Sequence, residues 1–324
     1  MEKGASADSY RVAIPTSTTD LFEVRDRAPF QELKLVTGVQ SAQGVTNFSA
    51  QMRAFFDCAF QRPVQLREAQ GIIGQLGNFF SVFQGETTYA TQVRVKIAPA
   101  DSLRTANLFW VPRSAEPPIV SHSDMNLSFQ ELANNAEGLF GSWFANERLF
   151  EPVYDLLVGT YGKQSERTKF RALAHALESF HRAAYGGVYM SEDAYETIRK
   201  SLCAAIPSEL EADFQDRLKA AIKYGFQYSL RTRLRVLLEK LTNRTKEAVL
   251  REKARSFIDL TLRVRNYLTH FDESEKPSIV DDAHGMYNLN QRLRALLIVL
   301  LLTYLGVPED KVRDGVVSHL NLAR

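Results

Sequence analysis

From Ser128 to the C-terminus the sequence carries almost no strand signal, and apolar residues recur there at spacings of three and four. A stretch of roughly 200 residues with that pattern folds as packed helices. Ser128 and Glu131 form an S-x-x-E capping box ahead of Leu139, Phe140 and Trp143. Ser208 and Glu211 repeat the box after Pro207. The periodicity predicts helices near 128–144, 165–184, 192–203, 208–223, 228–242, 246–268 and 282–305. The most apolar run, Ala295 to Leu302 with Thr303, Tyr304 and Leu305 behind it, is about half of the ~20 residues a membrane helix needs. It reads as a helix buried on nearly all sides, either in a core or in a subunit interface.

The first 125 residues mix strand and helix signals. Thr88 to Ala98 is rich in β-branched residues, and Ala106 to Pro112 is a short apolar run ended by proline. Both are expected as neighbouring strands joined by a turn at Pro99, Ala100, Asp101 and Ser102. Before them, Leu66, Ala69, Ile73, Leu76, Phe80 and Phe83 follow a helical period across Val64 to Phe83. Gly71, Gly74 and Gly77 recur inside that helix with no strand leading into them, so they do not read as a phosphate loop. Arg113 to Leu127, with Pro117 and Pro118, is the expected linker. The fold class is therefore α+β: a small mixed α/β N-terminal domain over 1–125, then an all-α bundle over 126–324. Nothing in MEKGASADSY marks the start of a whole domain, so an incomplete N-terminal domain is expected.

Charge excludes some partners and suggests others. Forty basic residues against 38 acidic leave +2 on 324 residues, so no global field advertises nucleic acid. The polar N-terminus lacks the apolar core of a signal peptide, which predicts a cytoplasmic protein with no membrane partner. Cys58 and Cys203 form no C-x-x-C and read as two buried thiols. Locally the balance differs. Arg231 to Arg265 holds eleven basic residues against four acidic ones, a surplus of seven. Such a run is either a solvated helix face or a phosphate-binding surface. Its wealth of arginine, whose planar fork matches phosphate oxygens, favours phosphate, with Arg231, Arg233, Arg235 and Arg263 as phosphate-binding candidates.

One segment carries sharper chemistry. Arg263-Val-Arg-Asn-Tyr-Leu-Thr-His270 ends an apolar helix before the polar break Phe271 to Pro277. Arg265 and His270 are five residues apart, which places them about 140° apart around a helix. By itself this reads as a helix C-terminus where His270 meets the negative end of the dipole. The other histidines offer no metal site: His122 lies in the linker, His175 and His181 are six apart, and His284 and His319 have no partner at ligand spacing. Neither a G-x-S-x-G nor a cysteine-nucleophile signature is present.

An earlier helix contains Ala176-Leu-Glu-Ser-Phe-His-Arg182. Paired with the downstream Arg265-Asn-Tyr-Leu-Thr-His270, it resembles the HEPN superfamily, specifically the ApeA-like HEPN proteins of bacterial anti-phage defence. The resemblance covers roughly residues 128–305. It implies an endoribonuclease without metal or other cofactor, in which the RNA's own 2′-hydroxyl attacks and leaves a 2′,3′-cyclic phosphate. It also implies at least a homodimer with two motifs facing one cleft, tRNA as the RNA partner, and a phage-derived trigger of abortive infection. On this resemblance Arg265, Asn266 and His270 are catalytic, Glu178 and His181 are supporting residues, and the phosphate-binding candidates Arg231, Arg233, Arg235 and Arg263 become RNA-binding ones. Otherwise Glu178 is a surface ion-pair residue and His181 a polar residue on a helix face. Two further readings stay open: a non-catalytic helical module for dimerisation or partner binding, which the apolar Ala295–Leu305 helix would suit, and an N-terminal sensor controlling the helical part.

Overall fold

The computed structural model describes residues 19–27, 29–43, 48–90, 93–97, 104–108, 125–320 and 322. It opens with β1 (Thr19–Arg27), β2 (Phe30–Gln43) and β3 (Phe48–Phe60), an antiparallel meander in the order β1-β2-β3. Leu33 of β2 stands opposite Cys58 and Leu35 opposite Phe56. Helix α1 (Leu66–Gln84) follows, then the antiparallel pair β4 (Val93–Ile97) and β5 (Arg104–Leu108). Two neighbouring antiparallel strands are thus present where strands are expected, the second beginning at Arg104 rather than Ala106, while their expected turn and linker residues 113–124 lie outside the described residues.

After that the described chain is helical: α2 (Phe129–Ala145), α3 (Glu147–Gly159), α4 (Glu166–Tyr185), α5 (Glu192–Ala204), α6 (Ala212–Lys223), α7 (Leu230–Glu239), α8 (Asn243–Leu250), α9 (Ala254–His270), α10 (Ala283–Tyr304) and α11 (Glu309–His319). This is the expected α+β class, a small sheet region followed by helices. Ser128 caps α2 as expected, its hydroxyl accepting from the Glu131 N–H at 3.2 Å. The second capping box does not form. Helix α6 starts only at Ala212, with Glu211 as its N-cap and no side-chain cap.

Three helices depart from the periodicity. Asn146 alone separates α2 from α3, so the apolar pattern runs on across the break. The single helix expected over 246–268 is two, because Arg251 takes a left-handed conformation (φ 56°) that ends α8. No glycine punctuates that break. Helix α11 buries only Val312, Arg313 and Val316, too sparse a stripe to stand out in the sequence.

An aromatic chain ties the sheet to the bundle. Phe30 of β2 meets Phe144 of α2 edge-on at 5.0 Å, and Phe79 of α1 lies 4.2 Å from Phe140. Trp143 stacks on Tyr154 of α3 at 3.8 Å, and Phe150 stacks on Phe180 of α4 at 5.4 Å. One hydrophobic core therefore runs from Val24 to Leu322. Residues at the end of the expected linker join it: Leu127 is buried, and the buried Asn126 side chain donates to the Val82 carbonyl at 2.8 Å. Helix α10 passes through this core with Ala295 to Leu302 all buried. Its apolar run is satisfied by the chain itself rather than by a subunit interface. Both cysteines are free and half-buried rather than fully enclosed, and burial together with the Asp57 charge pushes the Cys58 thiol up to about 12.

Candidate functional site

Helix α9 brings the Arg265-to-His270 segment to the surface. Phe257, Ile258, Thr261, Val264, Tyr267 and Leu268 face the core, which turns Arg265, Asn266 and His270 outward. The helix stops at Phe271, whose φ of 54° is left-handed and whose N–H reaches back to the Tyr267 carbonyl at 2.7 Å. Arg171 of α4 fastens this end: its Nη2 donates to the Leu268 carbonyl at 3.3 Å, and its guanidinium lies 5.8 Å from the Phe271 ring centre. The Tyr267 hydroxyl donates to Glu273 at 2.7 Å, and Lys276 pairs with Glu273 and Asp281. The polar break after the motif is therefore held in place by the helix before it.

Two depressions meet at Asn266. One is an open groove of about 540 Å³ between α4, α7 and α9. Glu178 and Arg182 line it from α4, Arg231 from the start of α7, and Arg265 and Asn266 from α9. Tyr224 and Tyr228, on the segment between α6 and α7, form another wall. The other depression, about 230 Å³, is lined by Asn266, Tyr267, His270, Asp272 and Glu275. Asn266 is common to both, while Arg265 and His270 fall on opposite sides of it. The helical angle between the two residues is thus realised in space, and one chain does not gather them in one depression.

Arginine dominates the larger groove. Arg182 pairs with Glu178 at 3.3 Å, and Arg231 pairs with Asp259. Arg265 meets no carboxylate among the described residues, and its guanidinium only approaches Asn266 Oδ1 at 3.5 Å. A partly uncompensated guanidinium beside two others is a strong anion-binding feature. In the smaller depression Ser274 donates from side chain and backbone to Asp272, holding that carboxyl below its ordinary value. His270 is exposed and makes no hydrogen bond with any described residue.

The remaining candidates separate sharply. Glu178 lines the groove and is half of an i,i+4 ion pair, as the surface ion-pair expectation has it. Arg235 and Arg263 are exposed but line neither depression, Arg235 lying 4.0 Å from Glu239. Arg233 corrects the expectation of a surface phosphate ligand: it is only 2% exposed. Its guanidinium donates to the carbonyls of Gly186 at 2.8 Å, Tyr228 at 3.2 Å and Gly187 at 3.4 Å, and to His181 Nδ1 at 3.1 Å. His181 is fully buried, neither on an open helix face nor in the groove. Burial first, and the Arg233 charge second, lower its pKa to about 4. With Nδ1 accepting from Arg233, the ring proton sits on Nε2, which has no partner. This buried pair locks the end of α4 to the start of α7, the two helices that flank the groove.

Residues 172–311 match the model of the family described as Apea-like HEPN. This part of the chain is an Apea-like HEPN domain. It runs from within α4 into the first turn of α11, so it contains both depressions and the Arg233–His181 pair. HEPN domains are generally RNases, which supports a coarse function for this domain, an RNase-type enzyme acting on RNA. No curated protein and no solved structure matches the chain. Among the described residues no group of three or more His, Cys, Asp or Glu is placed to hold a metal ion, and no helix is long and apolar enough to cross a membrane.

Among the groove residues, sequence reasoning did not single out Arg182, Tyr224 or Tyr228 as candidates. Arg182 had a readable signal, because it stands four residues after Glu178 on one helix face. Tyr224 and Tyr228 had none, since only the docking of α6 and α7 brings that segment beside α9.

Proposed function

We propose that this chain is a metal-independent endoribonuclease that cleaves tRNA in the cytoplasm during anti-phage abortive infection. The observation that carries the reading is the position of Asn266 within the Apea-like HEPN domain. It borders an arginine-lined groove on one side and the unpartnered His270 on the other. In-line attack of a ribose 2′-oxygen on the neighbouring phosphorus forms the cyclic P–O bond and breaks the bond to the 5′-oxygen. The step needs a base for the 2′-proton, an acid for the leaving 5′-oxygen and cations on the phosphoryl oxygens. Histidine suits either proton transfer near neutral pH, and arginine supplies a permanent charge with a two-pronged grip.

A single chain offers one such histidine, separated from Arg265 by Asn266. We therefore assign Arg265 to the phosphate, His270 to proton transfer and Asn266 to orientation between them, with a second copy completing the site as a homodimer. Residues 1–125 and 126–324 act in this reading as separate parts, a sensor of a phage product and an effector. The core that the sheet and the bundle share supports a coupling between the two parts. The competing reading, a non-catalytic helical module, draws on the near-neutral net charge of +2 and on the apolar Ala295–Leu305 helix; the chain's own core buries Ala295 to Leu302, so the charge is what still favours it.

The test is cleavage of total tRNA in excess EDTA, with analysis of the product ends. Cutting to 2′,3′-cyclic phosphate ends by the wild type, lost in Arg265→Ala and in His270→Ala, is the expected result. tRNA left intact by the wild type in the presence of co-expressed phage proteins would overturn the proposal.

A further inference from the structure

The larger groove has a feature that phosphate chemistry alone does not explain. Tyr224 is 56% exposed although it lines a concave surface, and Lys223 Nζ lies 5.2 Å from its ring centre. Tyr228 stands four residues on as a second wall, its ring held edge-on by Tyr189 at 4.6 Å. Arg182, Arg231 and Arg265 line the same groove; Arg182 is paired with Glu178 and Arg231 with Asp259, which leaves Arg265 without a carboxylate among the described residues. A tyrosine more than half exposed, with an ammonium over its ring and three guanidiniums lining the same groove, matches one ligand chemistry well: flat apolar bases joined by phosphates.

We propose that Tyr224 is a base-stacking subsite, so that the groove takes single-stranded RNA with one nucleobase on Tyr224 and its flanking phosphates on Arg182 and Arg231. This rests on the ribonuclease reading for the identity of the polymer and goes beyond it in naming the strand state and the residue that senses it. In a duplex every base face is covered by its neighbours, and A-form RNA presents mainly backbone and 2′-hydroxyls to a protein. Tyr224 can be engaged by an unpaired nucleotide and not by a base inside a duplex. Its segment is set by the α6–α7 connection and not by the Arg265–His270 helix, so stacking and cleavage are separable.

Full-length protein carrying His270→Ala, which keeps the probe intact, is titrated into a fluorescein-labelled single-stranded oligoribonucleotide of mixed sequence, and into the same strand in a duplex. Fluorescence anisotropy reads binding at fixed salt, since the phosphate contribution varies with ionic strength. Tyr224 is exposed, so its substitution leaves the core untouched. Tyr224→Ala is expected to weaken single-strand binding by roughly fivefold to a hundredfold, with Tyr224→Phe within about threefold of the parent and duplex binding unchanged. Single-strand binding by Tyr224→Ala within about twofold of the parent would overturn the subsite, as would an equal loss on duplex. The two proposals fail separately. If the wild type cuts no RNA but Tyr224→Ala still loses the single strand, the subsite stands and the nuclease reading falls. If the wild type cuts tRNA while Tyr224→Ala binds and cuts normally, only the subsite falls.

Discussion

Two arginine–histidine pairs lie within this domain, and their surroundings give them opposite roles. Arg233 and His181 are enclosed between α4 and α7, with all three guanidinium nitrogens hydrogen-bonded and the imidazole held neutral. Arg265 and His270 stand on the outward face of α9, the first without a carboxylate and the second without any hydrogen bond among the described residues. A buried polar group has to be satisfied within the protein, and its bonds then fix the parts they join. An exposed group with unused donors is available to a substrate. Residue type alone does not separate structural from functional arginine and histidine; burial and partner count do.

The comparison fails most visibly if the exposed histidine is dispensable. His270→Ala is expected to reduce tRNA cleavage by about 10²–10⁴-fold, the usual reach of a lost acid or base, while the denaturation midpoint stays at the wild-type value. A large stability loss would mean that His270 belongs to the architecture. Arg233→Met should do the reverse. It strands the Gly186 and Tyr228 carbonyls and an imidazole nitrogen without their donor, while the Gly187 carbonyl keeps the Tyr228 N–H at 2.9 Å, at a cost of about 3 kcal/mol in chemical denaturation. Removing both partners in Arg233→Met/His181→Leu should recover part of that loss, because the histidine then leaves no orphaned acceptor. A double variant as unstable as the sum of the two single ones would break the assignment of the pair as one unit.

The buried pair also predicts a pH dependence. His181 titrates at about 4 in the folded chain, below the ~6.5 of an unfolded histidine. The unfolded state therefore binds the extra proton first. Stability from this residue is fully present above about pH 6.5 and is lost as pH falls toward 4, by up to about 3 kcal/mol. Unfolding free energies at pH 7 and pH 5 should differ less in His181→Gln than in the wild type. Equal differences would show that His181 is not the group responsible.

Much of this was readable before the fold. The helical half, the α+β class, the Ser128 cap and the strand pair β4–β5 follow from periodicity and capping chemistry. The β1–β3 meander escaped individual notice, because its strands become distinct only where their inward residues meet α1 and α2. The role of Arg233 was hidden by the basic run around it. A signal did exist: Arg233 is four residues before the buried Leu237 on the same face of α7, and His181 is four after the buried Leu177 on α4. A charged residue placed on an apolar stripe points to a buried, partnered role, and here that outweighs the charge count. The grouping of Tyr224 with Arg265 could not be read at all, since it depends on how separate helices dock.

The smallest expected effect tests whether the lock between α4 and α7 depends on its backbone turn. Gly186 and Gly187 both have positive φ, 70° and 101°, where an L side chain is strained. They differ in their surroundings. A Cβ on Gly187 would come within 2.7 Å of Arg233 Nη1 and 2.8 Å of His181 Cε1, whereas nothing lies within 4 Å of one on Gly186. Both alanine variants therefore carry the backbone strain, on the order of 1 kcal/mol. Only Gly187→Ala must also displace the buried pair, which should raise its cost to about 2–3 kcal/mol. In Arg233→Met the guanidinium that Gly187 accommodates is absent, so Gly187→Ala should cost less there, though still more than Gly186→Ala because the His181 ring remains 2.8 Å from the added Cβ. The measured quantity is the coupling energy between positions 187 and 233 in a double-mutant cycle. A coupling near zero would mean that the turn is set by its own backbone, and that the buried arginine occupies a space it did not shape.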